Sequence, residues 1–176
     1  MIGNEPFAVI LPDDVIAAEK PFLQQMIEAY EETGGSMVAV MEVPGDQTSS
    51  FGILDVEKQF GDLLPVKQMV EKPIAGTEPS NLAVIGWYLL KPSVMENIGN
   101  LKAGSGGEIQ LTDAIAQEIK EGRPVNGFRF YGCRFDCGSK AGFLKATISF
   151  ALARSDLRAE LMDYMYETMV TEKAAQ

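Results

Sequence analysis

Pro6 to Leu11 (PFAVIL) is a continuous apolar run that ends in Pro12-Asp13-Asp14. A short run without polar alternation suits a strand buried on both faces, as in a parallel sheet whose strand ends open on a ligand crevice. Such a strand needs neighbours on both sides and a helix against it. It lies almost at residue 1, so the expectation is a sheet incomplete at its N-terminal side, with Met1 an internal methionine or the boundary of a larger chain.

The remaining pattern alternates strand and helix around a strand-rich middle. Pro21 opens a helical spacing (Phe22, Leu23, Met26, Ile27, Tyr30) that Gly34 and Gly35 stop. Ser36 to Val43 is predicted as a strand, Pro44 to Ser50 as a polar loop, and Phe51 to Leu54 as a short strand in which Gly52 implies a close backbone approach. Further strands are expected over Leu63 to Val70, over Asn81 to Leu90 with a break at Gly86, and over Val125 to Arg134. Helices are expected after Ser93, from Glu108 or Thr112 to Glu121, from Lys140 to Arg154 and from Ser155 to about Thr171. This order predicts an α/β fold with a mixed sheet. No repeat or linker divides the chain, so residues 1–176 are expected to form a single domain.

Charge and composition narrow the chemistry. A net charge of −10 argues against a nucleic-acid surface or an anionic-membrane patch, because both need clustered Lys and Arg. There is no histidine, which removes imidazole bases and His metal ligands and leaves carboxylates for both roles. Cys133 and Cys137, four apart at a strand end, are too distant to bridge and are expected as reduced, partly buried thiols. No apolar run approaches the roughly 18 residues of a membrane span and no signal peptide opens the chain, so a cytoplasmic protein is expected.

Three acidic or basic motifs stand at strand ends. Asp13 and Asp14 follow the first strand, a place that suits magnesium, which takes one or two carboxylates and completes its octahedron with water and phosphate oxygens; taken alone, the motif is better read as a helix-capping aspartate after a βα turn. Asp136 has the same address after the strand that ends near Arg134, and could share one metal with Asp13 or serve as a turn residue. Glu71 and Lys72 are adjacent before Pro73. Both can line one pocket only if the strand twists or bulges there; otherwise they are solvated edge charges. Gly106-Gly107-Glu108 could form an anion-binding loop at a helix N-terminus or a flexible loop capped by Thr112 or Asp113.

In their order and spacing these residues resemble the C-terminal part of the bacterial UTP–glucose-1-phosphate uridylyltransferases (UDP-glucose pyrophosphorylases). The resemblance rests on Glu5-Pro6 leading into AVILPDD (Ala8 to Asp14), Phe51-Gly52-Ile53, VEKP (Val70 to Pro73), PSNLAVIG (Pro79 to Gly86), GEIQLTDAI (Gly107 to Ile115) and Asp136-Cys137-Gly138-Ser139-Lys140. It implies a mixed, mainly parallel Rossmann-like sheet of the nucleotide-diphospho-sugar transferase type. It implies Mg2+ held by Asp13 and Asp136, Glu71 as acceptor from sugar hydroxyls, Lys72 as phosphate contact, and backbone groups of Gly52 and Val84 toward the glucose.

UTP, glucose 1-phosphate and UDP-glucose would be the partners, in a homo-oligomer with residues from about 140 to 172 in packing or subunit contacts. The family's glycine-rich loop with its arginine, and its lysine-proline-lysine region, bind UTP and have no match in the sequence, so a partial chain inactive alone is expected. Two alternatives stand beside this one: a thymidylyl- or adenylyltransferase half, and a non-catalytic assembly module of the same ancestry.

Overall fold

Pro21 has no N–H to donate, so it stands at the helix entrance, and the chain closes its first helix with Gly34 in the left-handed region (φ 67°), its N–H bonded to the Tyr30 carbonyl. The structure, a computed structural model, describes residues 3–57, 61–101 and 109–174. Along them run β1 (Phe7–Ile10), β2 (Asp14–Ala17), α1 (Phe22–Thr33), β3 (Ser36–Glu42), β4 (Gly52–Val56), β5 (Leu63–Glu71), β6 (Leu82–Leu90), α2 (Ser93–Asn100), α3 (Leu111–Lys120), β7 (Val125–Arg129), β8 (Cys133–Asp136), α4 (Lys140–Ala153) and α5 (Ser155–Ala174). The segment expected as a polar loop before β4 is a 3-10 helix over Gly45–Ser50. The glycine-rich stretch Gly104 to Gly107, with Glu108, lies outside the described residues.

The chain divides into two compact units, Met1–Leu11 with Ala18–Gly132 and Pro12–Ala17 with Cys133–Gln176. The sequence carries no linker at this division because the second unit takes its two strands from distant segments.

The first unit is a mixed α/β layer structure around a six-stranded sheet in the order β1-β6-β3-β7-β5-β4, with a further contact between β6 and β4. β3 and β7 run parallel, and β1–β6, β6–β3, β7–β5, β5–β4 and β6–β4 are antiparallel. Four strands, β1, β3, β7 and β4, therefore point the same way, while β5 and β6 oppose them. β6 is continuous through Gly86, and the irregularity falls on its partner, where the β3 register shifts between Val38 and Val40.

Alternation places the two faces of β3 in two different cores. Val38 and Val40 join Leu54, Leu64, Tyr88 and Leu90 against Val94 of α2 and Ala114 and Ile115 of α3. On the opposite face Ala39 is level with Phe128, and the Phe22 ring of α1 stacks on Phe128 with centroids 6.2 Å apart. Helices α2 and α3 are joined by a buried charge. Glu118, fully buried, accepts from Ser93 Oγ (2.8 Å) and Asn97 Nδ2 (2.8 Å) and pairs with the Arg123 guanidinium (2.7 Å). The hydrogen bond to Glu118 is the main reason that Arg123 is held above its usual pKa.

Two expectations need correction. The first strand is not buried on both faces: β1 lies at the end of the sheet and pairs only with β6 among the described strands, so Phe7 and Val9 pack on the core while Ala8 and Ile10 are exposed. The segment from Val125 to Arg134 is not one strand. Gln25 of α1 occupies both backbone groups of Tyr131, donating to its carbonyl (3.3 Å) and accepting from its N–H (3.3 Å). The ladder of β7 stops there, and β8 begins beyond it with a different partner.

The second unit is small. β2 and β8 form a two-stranded antiparallel ribbon, followed by α4, capped by Ser139 Oγ accepting from the Gly142 N–H (3.0 Å), and α5. Phe135 of β8 packs on Phe150 of α4, with ring centroids 6.1 Å apart.

Candidate functional site

The carboxylate half of the expected site lies within the second unit. Asp14 and Asp136 are register partners across the β2–β8 ribbon, and Asp13 precedes β2 in a turn whose carbonyl accepts from the Cys137 N–H (2.7 Å). Asp136 folds back on its own loop, its Oδ1 accepting from the Gly138 N–H (3.1 Å). The two side chains border the same position at Gly138: a Cβ added there would stand 3.1 Å from Asp136 Oδ1 and 3.2 Å from Asp13 Oδ2. The space that a side chain would fill is thus bordered by oxygens of both carboxylates.

The address that Asp13 and Asp136 share in the sequence is realised through an antiparallel ribbon rather than at the ends of strands of the main sheet, because the chain leaves that sheet after β1 and again after β7. A cavity of about 420 Å³ beside them is lined by Cys137, Gly138, Ser139, Lys140, Phe143 and Leu144. Cys133 is exposed rather than partly buried, Cys137 is half-buried, and both are free thiols.

Two hard oxygen donors bordering one small space fit a small divalent cation that retains several waters and takes phosphate oxygens. Among the described residues no group of three or more Cys, Asp and Glu side chains could hold a metal ion, so protein ligation would stop at this pair.

The other half lies in the first unit. Glu71 ends β5 directly opposite Gly52 of β4. A Cβ at Gly52 would meet Glu71 Oε2 at 3.2 Å, Met69 Cε at 3.3 Å and Thr112 Cγ2 at 3.3 Å, so the missing side chain lets the carboxylate lie across the β4 backbone. The strand is irregular here, the condition on which the two side chains could share one face. Lys72 has φ 43°, the left-handed region, while its N–H still bonds to the Phe51 carbonyl (3.0 Å). The kink brings Lys72 Nζ to 4.0 Å from Glu71 Oε1 although the two residues are adjacent in sequence. Val84 is buried in the α2–α3 core, level with Val40.

A non-glycine residue in the left-handed region costs on the order of 1–2 kcal/mol. Replacing Lys72 by Gly should therefore leave the chain about 1 kcal/mol more stable than replacing it by Ala, read from paired urea melts. Equal stabilities would mean that the kink is not held under strain.

Two residues that frame these halves, Arg134 and Gly142, were not singled out from the sequence, and a third, Thr112, was named there in another role. Arg134 bonds to Asp14 through Nε; its signal was its place two residues before Asp136 on one strand, hence on the same face. Gly142 lies in the first turn of α4, an unusual place for a glycine that nothing local demands. Thr112, considered only as a cap, turns its methyl toward Gly52.

The profile of the nucleotidyl transferase family matches residues 1–151, and the chain belongs to this family. It is 46% identical over 166 residues to the UTP–glucose-1-phosphate uridylyltransferase of Staphylococcus haemolyticus (strain JCSC1435), covering 94% of this chain and 57% of that protein. With the protein of the same description from Komagataeibacter xylinus it shares 51% identity over 139 residues, 79% of this chain and 49% of that one. A crystal structure of UDP-glucose pyrophosphorylase complexed with UDP-glucose superimposes with a TM-score of 0.80 at 40% identity, covering 87% of this chain and 58% of that one. The chain thus spans about half the length of these relatives. Among the described residues no helix is long and apolar enough to cross a membrane.

Proposed function

We propose that this chain is the glucose-1-phosphate and metal side of a uridylyltransferase that forms UDP-glucose and pyrophosphate from UTP and glucose 1-phosphate. The observation that carries the reading is that oxygens of both the Asp13 and Asp136 carboxylates border the open position at Gly138, in a chain whose relatives bear the name of that activity.

In this reading a phosphate oxygen of the sugar phosphate attacks the α-phosphorus of UTP, and pyrophosphate leaves. No protein nucleophile is required, so the residues act by alignment and by neutralising charge. Asp13 and Asp136 would hold Mg2+, which when bound offsets the negative charge of the phosphates. Glu71 would accept from sugar hydroxyls over the Gly52 backbone, Lys72 would meet a phosphate as a point charge, and the Val84 backbone would face the sugar. The nucleotide side is assigned to the length of the relatives that this chain does not match, and the chain by itself is proposed to be inactive. The same proposal has the protein cytoplasmic and homo-oligomeric, with exposed Phe143, Leu144, Met162 and Met169 of α4 and α5 supporting subunit contacts.

The test is calorimetric titration of UDP-glucose with Mg2+ into the chain and into Glu71→Ala. Each hydrogen bond lost from a charged acceptor is worth about 1.5–3 kcal/mol, so the variant should bind at least tenfold more weakly. Equal affinity would favour the non-catalytic assembly module. Tighter binding of dTDP-glucose or ADP-glucose than of UDP-glucose would favour the thymidylyl- or adenylyltransferase alternative.

A further inference from the structure

Three carboxylates crowd the β2–β8 ribbon, and the proposed metal reading uses two. Asp14 is the third: it stands directly opposite Asp136, an arrangement that is unfavourable between like charges, and it is 8% exposed. Arg134, level with Ile16 and two residues before Asp136, reaches diagonally across the ribbon and bonds to Asp14 Oδ1 through Nε; its own side chain is 16% exposed. The cation therefore ties together the strand that follows Asp13 and the strand that ends in Asp136.

We propose that Arg134 is a positioning residue for the Asp13–Asp136 pair: by clamping the Asp14 carboxylate it holds the ribbon in the register that brings the other two together, and it keeps Asp14 out of the metal position. The inference rests on the metal reading of those two aspartates. It concerns geometry, and so it opposes simple electrostatics in sign. Removing a positive charge near two carboxylates would by itself tighten cation binding, whereas loss of a positioning partner weakens it, by 10–100-fold where such partners have been removed from metal sites.

The probe is Mn2+ alone, with free ion counted by electron paramagnetic resonance in the presence of the full chain. Arg134→Gln is expected to bind Mn2+ about tenfold more weakly. Asp14→Asn, which leaves the arginine an amide oxygen to grip, should stay within about threefold of the parent chain. The double variant Asp14→Asn/Arg134→Gln removes the buried charge and leaves an amide pair able to hydrogen-bond across the ribbon, and should recover most of the affinity. This double variant also answers for the single one if a buried carboxylate that has lost its guanidinium prevents folding.

Unchanged or tighter binding by Arg134→Gln overturns the proposal. So does a folded double variant that binds about tenfold more weakly than the parent, since Arg134 would then not be acting through Asp14. Neither result touches the metal reading, which is tested separately by Asp13→Asn and Asp136→Asn. Mn2+ binding unaffected by both of these removes the metal reading and the proposal with it.

Discussion

Gly142→Ala is expected to lower the stability of the chain by about 3 kcal/mol, the upper end of the range for overpacking. A Cβ at this position would stand well inside van der Waals contact of the Asp136 carbonyl oxygen, 2.7 Å from its carbon and 2.7 Å from Ser139 Oγ. The obstacle is backbone, and the surrounding bonds leave it little room to move. Ser139 Oγ donates to that carbonyl (3.1 Å) and accepts from the Gly142 N–H (3.0 Å), which caps α4. Relief requires moving either the helix start or the peptide that follows Asp136, and the second course displaces one of the two proposed metal carboxylates.

Helix propensity argues for the opposite sign, since alanine in place of glycine inside a helix is favourable by about 1 kcal/mol. The sign of the change in a urea melt therefore decides between local propensity and tertiary contact. A stabilised variant with unaltered Mn2+ binding would mean that α4 can shift freely away from β8.

The second large effect is expected at Glu118. Truncation to alanine leaves Ser93 and the buried Asn97 without the carboxylate on which they converge, while Arg123, 35% exposed, keeps its pair with Glu121; leaving buried donors unsatisfied typically costs about 1–3 kcal/mol. Glu118→Gln keeps the shape and one acceptor oxygen, so it should cost distinctly less. The comparison isolates the charge from the packing. The consequence extends beyond stability, because α3 also carries Thr112, whose methyl lies against the same Gly52 position that the Glu71 carboxylate crosses. If the proposed sugar site is correct, loosening the join between α2 and α3 is therefore expected to weaken UDP-glucose binding as well. A variant that melts early but binds with parental affinity would show that Glu71 is placed by β4 and β5 alone.

The elements that could be read from the sequence are those whose causes are local. Pro21 and Gly34 delimit α1 because one lacks an N–H and the other tolerates a left-handed turn. Gly52 was legible as a close approach because a strand interior has few other uses for glycine. At Lys72 the sequence left two readings open, an irregularity or a solvated edge charge; the backbone shows the first, while the Lys72 side chain is 64% exposed.

What could not be read is who pairs with whom. The apolar run from Pro6 to Leu11 contains nothing that marks it as the end of a sheet, and its half-exposed face follows only from its having β6 as its one partner among the described strands. The break between β7 and β8 is made by Gln25, a side chain from the first helix. Sequence alone determined the elements bounded by local signals, such as α1, and nominated the candidate residues, because turn stereochemistry and side-chain period act between near neighbours. Only the tertiary structure decided that Asp13, Asp136 and Arg134 share one small ribbon, because strand register is set by hydrogen bonds and packing between segments that the chain keeps far apart.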